Sequence, residues 1–116
     1  KIVVAGSDKR KHIGIDLEHL NRIKEALFPK LFVKSEISLM EENRISPEEL
    51  FSAKEAFYKM QYPHTSQYLD FKDVELKLQN GKLKPVYLNS SVKKIENTGI
   101  IHLQKDSESV ISLAIL

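Results

Sequence analysis

Cysteine and tryptophan are missing from this 116-residue sequence, and glycine and proline occur only four times each. Without cysteine there can be no disulfide and no thiolate metal site, and a cytoplasmic location is expected. The longest apolar runs fall far short of the roughly 20 residues that a membrane helix needs, and no stretch reads as a secretory signal, so no membrane partner is expected. A large excess of one charge is also missing: 18 Lys and Arg stand against 16 Asp and Glu, a net charge of +2, which argues against a dedicated nucleic-acid binder. His12, His19, His64 and His102 show no metal-ligand spacing and read as surface or packing residues. Internal repeats, low-complexity tracts and linkers are absent. What remains is a soluble globular balance, 41% hydrophobic and 29% charged, long enough for one domain with a modest core.

Periodicity predicts a strand near residues 1–5, a strand over 12–18, helical stretches around 20–28 and 34–43, and a helix over 47–61. Residues 71–79 alternate as a strand, Asn80-Gly81 is a type I′ turn signal, and 82–88 returns, with Pro85 confining that strand to an edge or a bulge. A second hairpin joins residues 100–104 to 110–116 through the polar segment 105–109. Helices in the first half and hairpins in the second predict an α+β fold, helices packed on a small antiparallel sheet. Phe28, Phe32 and Phe57 read as core.

Two segments carry chemistry. In His12-Ile13-Gly14-Ile15-Asp16-Leu17-Glu18, an extended backbone turns Ile13, Ile15 and Leu17 one way and both carboxylates the other, roughly 7 Å apart along the strand. Neighbouring anions repel unless a proton or cation sits between them, and magnesium takes one or two carboxylates together with waters and phosphates. The plain alternative is an amphipathic strand with a solvated acidic face.

The second segment opens with Ser46-Pro47-Glu48-Glu49, which has a capping residue, a proline suited to the first helical position and an acid where a capping box requires one. Leu50, Ala53, Phe57 and Met60 recur as a core stripe, with Pro63 expected just beyond the helix end. Glu55 and Lys59 stand one turn apart on its flank, with Lys54 beside Glu55. Taken alone, that pair is also what an ordinary surface salt bridge looks like.

Gly14-Ile15-Asp16-Leu17-Glu18 followed by Phe51-Ser52-Ala53-Lys54-Glu55-Ala56-Phe57-Tyr58-Lys59 resembles the two signature motifs of the 4′-phosphopantetheinyl transferases. The resemblance extends through Tyr62-Pro63 and Asp70 to Glu75, and its wording is closest to the surfactin-type and enterobactin synthetase component D branch. It implies transfer of the phosphopantetheine arm of coenzyme A to a serine of an apo acyl or peptidyl carrier protein, in siderophore, polyketide, peptide or fatty-acid synthesis, with release of 3′,5′-adenosine bisphosphate. It further implies a magnesium site at Asp16, Glu18 and Glu55, a phosphate contact at Lys59 with Lys54 as a second candidate, and Glu55 as acceptor of the serine proton. Phe51 stands where many relatives have tryptophan.

Surfactin-type enzymes have two similar halves with the site in the cleft between them, and this chain resembles the second half. The Ser-His motif that relatives use near the coenzyme A 3′-phosphate would fall just upstream of Lys1. Residues 1–116 are therefore expected to form a single transferase domain, either the second half of a two-half enzyme or a short form that completes its cleft by self-association. The lysines at 72, 77, 82, 84, 93 and 94 are candidates to dock an acidic carrier helix, although solvated strand faces use lysine in the same way. Two other readings remain open here: a non-catalytic carrier-binding or assembly module that keeps the fold, and a plain α+β domain.

Overall fold

Ser46-Pro47-Glu48-Glu49 starts the longest helix, as its residue types dictate. In the computed structural model, which describes residues 12–115, Ser46 Oγ accepts the Glu49 N–H at 3.1 Å and a Glu49 carboxylate oxygen accepts the Ser46 N–H at 3.0 Å. The strand expected near residues 1–5 lies outside the described residues. In chain order the elements are β1 (Ile13–His19), a 3₁₀ turn (Glu25–Leu27), α1 (Phe28–Leu31), α2 (Lys34–Glu41), α3 (Pro47–Thr65), β2 (Val74–Gln79), β3 (Lys82–Tyr87), β4 (Ile100–Lys105) and β5 (Ser109–Ile115).

The strands form one antiparallel sheet in the order β1-β5-β4-β3-β2, and α3 lies across its β1–β5 end. This is the α+β arrangement expected from the sequence. Leu50, Ala53, Ala56, Phe57 and Met60 of α3 are buried against Val74, Leu76, Leu83, Ile101 and Ala114 of the sheet. Each large side chain sealed there contributes about 1.5–3 kcal/mol. No helix of the described residues is long and apolar enough to cross a membrane.

Four departures from the sequence expectations have local causes. Residues 20–24 form a turn, because Asn21 takes φ 60° and the Glu48 carboxylate accepts the N–H groups of Arg22 and Ile23 at 3.2 and 2.9 Å. Helix α2 ends at Glu41, where Asn43 at φ 56° turns the chain and the Arg44 N–H closes on the Leu39 carbonyl at 3.0 Å. Helix α3 continues past Gln61 with Pro63 inside its last turn, and it stops at Ser66, whose φ of 53° is left-handed and whose N–H reaches the Tyr62 carbonyl at 2.8 Å. Finally, Pro85 lies on an inner strand.

The hairpin geometry accounts for that proline. Asn80 and Gly81 take φ 52° and 77°, the type I′ turn, with Gln79 facing Lys82 across its end. Counting back from this closing pair puts the missing N–H of Pro85 on the side away from β2, toward β4. There the β3–β4 pairing has shrunk to the single bridge Leu83–Ile101, and the Pro85 carbonyl accepts the Thr98 hydroxyl at 3.0 Å. A strand that needs few ladder bonds on one side can accept a proline.

Candidate active site

Gly14 decides where the acidic strand can lie. A Cβ at this position would fall 1.9 Å from the Ala56 carbonyl oxygen and 2.7 Å from the Met60 nitrogen, both backbone atoms. Only glycine lets β1 approach α3 so closely, and glycine inside a strand pattern is the sequence signal for such an approach. The contact inverts the usual alternation. Gly14 and Asp16 face the helix and are buried, whereas Ile13 and Ile15 are half-buried and Leu17 is exposed on the opposite face.

That placement brings Asp16 and Glu18 to the flank of α3 that carries Glu55 and Lys59. The Ser52 hydroxyl donates to the Asp16 carbonyl at 3.3 Å. The Lys59 ammonium donates to Asp16 Oδ1 at 2.9 Å and to the Ile15 carbonyl at 3.1 Å. The Asp16 side chain is 8% exposed and that of Lys59 53%, so the cation straddles the border between site and solvent.

The electrostatics are those of crowded anions. Burial pushes the Glu18 carboxyl up to about 7, and the adjacent Asp16 charge, a hydrogen bond with Asp16 and the Glu55 charge add to the effect, while Lys59 opposes it. Burial and then Asp16 likewise raise Glu55, again against Lys59. Asp16 Oδ2 is buried, and apart from the Glu18 carboxyl beside it no donor among the described residues reaches it. Two carboxyls this close, one buried and the other kept from ionising by burial and by its neighbour's charge, are the chemistry a hard divalent cation relieves. The residues present fit a hard divalent cation such as magnesium, which Asp16 and Glu18 would hold with Glu55 adding charge. Among the described residues no three His, Cys, Asp or Glu side chains stand close enough to enclose an ion by themselves. Such an ion would draw its remaining oxygens from water and phosphate, as magnesium ordinarily does.

Lys54 is not part of this group, and its expected place at the phosphate is corrected. Its ammonium lies 2.8 Å from Glu36 Oε1, with both side chains fully buried, and it donates to the carbonyls of Leu31 and Phe71. Glu36 in turn accepts the N–H groups of Val33 and Leu76 at 2.9 and 2.8 Å. Burial drives both groups toward their neutral forms, lowering Lys54 and raising Glu36, and each partner opposes the shift of the other. The Lys54 ammonium thus has three partners and no path to a ligand.

Two further features were not apparent from the sequence. Phe51, Phe71 and Tyr58 stack along α3 beside Glu55, with centroids 5.1 Å apart for Phe51–Phe71 and 5.6 Å for Tyr58–Phe71. The Tyr58 hydroxyl donates to the Asp70 carbonyl at 3.0 Å, and burial raises its pKa. The rings of His12 and His64 meet edge to face with centroids 3.7 Å apart, a packing pair from distant parts of the chain. Lys84 donates to the Gly99 carbonyl at 3.0 Å, while Lys72, Lys77, Lys82, Lys93 and Lys94 are exposed.

Comparison with known proteins adds three findings. The model of the 4′-phosphopantetheinyl transferase superfamily matches residues 12–114. No curated protein matches the chain. Among solved structures, the crystal structure of Thermotoga maritima holo-acyl-carrier-protein synthase is similar, with 23% sequence identity and a TM-score of 0.69 over 90% of this chain and 62% of that one. At that identity the likeness speaks for the fold, and this chain spans about 62% of the length of that relative.

Proposed function

Since the chain belongs to the 4′-phosphopantetheinyl transferase superfamily, we propose that it moves the phosphopantetheine arm of coenzyme A onto a serine hydroxyl of an apo acyl or peptidyl carrier protein. The observation that carries this reading is the buried Asp16 carboxylate, met by the Lys59 ammonium at 2.9 Å and crowded by Glu18, whose carboxyl is pushed up to about 7. The serine oxygen attacks the phosphorus that bears the pantetheine arm, the bond from that phosphorus to the bridging oxygen breaks, and 3′,5′-adenosine bisphosphate leaves. Such transfers are mostly positioning and neutralisation of charge on the transferring and leaving oxygens.

Asp16 and Glu18 are the residues to hold magnesium, with Glu55 at its flank. Bound there, the ion would neutralise charge on the pyrophosphate and orient it. Lys59, half-exposed and already at the edge of the carboxylates, is placed to meet a phosphate oxygen. Glu55, raised by burial and by Asp16, suits the role of acceptor for the serine proton. The surfactin-type branch, a role as the second half of a two-half enzyme or as a self-associating short form, and a cytoplasmic setting belong to the same proposal.

Intact-mass spectrometry of an apo carrier protein incubated with the chain, coenzyme A and magnesium tests it. A phosphopantetheine adduct that a chelator abolishes is the expected result. No adduct from the folded chain at any concentration, nor from any longer protein containing it, would overturn the reading.

A further inference from the structure

Ser112, in the middle of β5, is fully buried on the sheet face that packs against α3. Its hydroxyl has no hydrogen-bond partner among the described residues. Along the strand its neighbours on that face are Val110 and Ala114, and Leu103 stands opposite it on β4. None of these side chains can accept a hydrogen bond. A buried hydroxyl without an acceptor lowers stability, and alanine two residues on shows that a small apolar side chain fits this face. Such a group in a native core calls for a role other than packing.

On its other side Ser112 stands directly opposite Asp16 in the β1–β5 ladder. Opposed residues of an antiparallel pair share a face, with Cβ atoms about 4.5–5.5 Å apart. A serine oxygen and a carboxylate oxygen across such a pair can come within hydrogen-bonding distance by rotation about χ1, without movement of the backbone. The rest of Asp16 is already held: Lys59 donates to Oδ1 at 2.9 Å, and Ser52, itself fully buried on α3, donates to the carbonyl at 3.3 Å. Oδ2 meets only the Glu18 carboxyl. It is the acceptor in register with the hydroxyl that lacks one.

We infer that Ser112 is a positioning residue of the carboxylate site, whose hydroxyl donates to Asp16 Oδ2 when Asp16 and Glu18 hold a divalent cation. The inference rests on the metal site of the transferase reading. A ligand carboxylate binds its ion best when hydrogen bonds from other groups fix its orientation, and losing one such partner commonly costs tenfold or more in metal affinity. Lys59 fixes one oxygen of Asp16 from the solvent side, and Ser112 fixes the other from within the sheet, each oxygen keeping a lone pair for the ion. Because the hydroxyl has no partner without the ion, it contributes to cation binding and not to the fold.

The test is titration of the chain with Mn²⁺, read from the electron paramagnetic resonance of the free ion, first alone and then with coenzyme A present. The proteins are the wild type, Ser112→Ala, Ser112→Cys, which keeps the size but has only a weak donor, and Ser112→Thr, which keeps the hydroxyl. Ser112→Ala and Ser112→Cys are expected to bind Mn²⁺ about tenfold more weakly, and Ser112→Thr to bind it like the wild type. Without metal, Ser112→Ala should melt no lower than the wild type, because it removes a hydroxyl that has no partner. Wild-type Mn²⁺ affinity in Ser112→Ala or Ser112→Cys overturns the positioning role and leaves the metal site standing. So does a folded Ser112→Thr chain as weak as Ser112→Ala, since the hydroxyl is then not what matters. A Ser112→Ala chain that melts well below the wild type without metal also overturns it, because the hydroxyl then serves the fold. Failure of the wild type to bind Mn²⁺ in both titrations overturns the metal assignment and the part of Ser112 with it.

Discussion

Lys54 Nζ and Glu36 Oε1 face each other at 2.8 Å in a core from which both side chains are fully excluded from water. The pair ties α3 to α2, and through the Leu76 N–H and the Phe71 carbonyl it also ties in β2 and the loop before it. Removing one partner strands a buried charge. Lys54→Met is therefore expected to cost about 3–5 kcal/mol in urea unfolding. Glu36→Leu/Lys54→Met should recover only part of that, because the Val33 and Leu76 N–H groups then lose their acceptor. A stable Lys54→Met chain with weakened coenzyme A binding would instead return Lys54 to the ligand.

Gly14→Ala puts a methyl group 1.9 Å from the Ala56 carbonyl oxygen, where only backbone could give way. The strand must then lift from the helix and carry Asp16 and Glu18 with it. Destabilisation at or above the upper end of the usual ~1–3 kcal/mol for overpacking is expected, measured by thermal unfolding. A melting temperature like that of the wild type would mean that β1 and α3 are not in this contact.

The pH dependence follows from Glu18, whose carboxyl rises from 4.5 to about 7 on folding. Between those values the folded chain binds more protons than the unfolded chain, so stability falls as pH rises through that window, and the contribution is gone above about 7. Glu55 is raised as well and acts with the same sign. Magnesium competes with the proton, so it should raise the melting temperature more at pH about 8 than at pH about 5.5. Equal shifts at both pH values would remove Glu18 from the metal site.

Asp16→Asn and Glu55→Gln each delete a negative charge from a crowded cluster while keeping shape. Both variants are expected to fold with near-normal melting temperatures and to lose carrier loading by about 100-fold or more, measured as the initial rate of adduct formation with magnesium present. Turnover like that of the wild type in either variant would withdraw that residue from the site.

Elements with local signals were legible in the sequence. The capping box at Ser46 and Glu49 and the type I′ turn at Asn80-Gly81 form through bonds between near neighbours, and they stand where those residues predict. The stripe of Leu50, Ala53, Phe57 and Met60 is buried for the same reason, since helical periodicity alone sets its face. Boundaries set by distant partners were not legible. The turn at residues 20–24 depends on Glu48, which lies 25 residues beyond Ile23, and nothing near Arg22 announces it.

The sequence by itself determined the α+β class, the start of α3, the hairpins and the residue types of an acidic strand beside a lysine-bearing helix, because propensity, capping and alternation act over a few residues. The tertiary structure decided which adjacent side chain of the Lys54-Glu55 pair faces the site and which the core, and that β1 presents Asp16 rather than Ile15 to the helix. Both outcomes depend on the angle and distance at which β1, α2 and α3 meet. The glycine contact at Ala56 and the carboxylate of Glu36 set that geometry, and each lies far along the chain from the residues it orients.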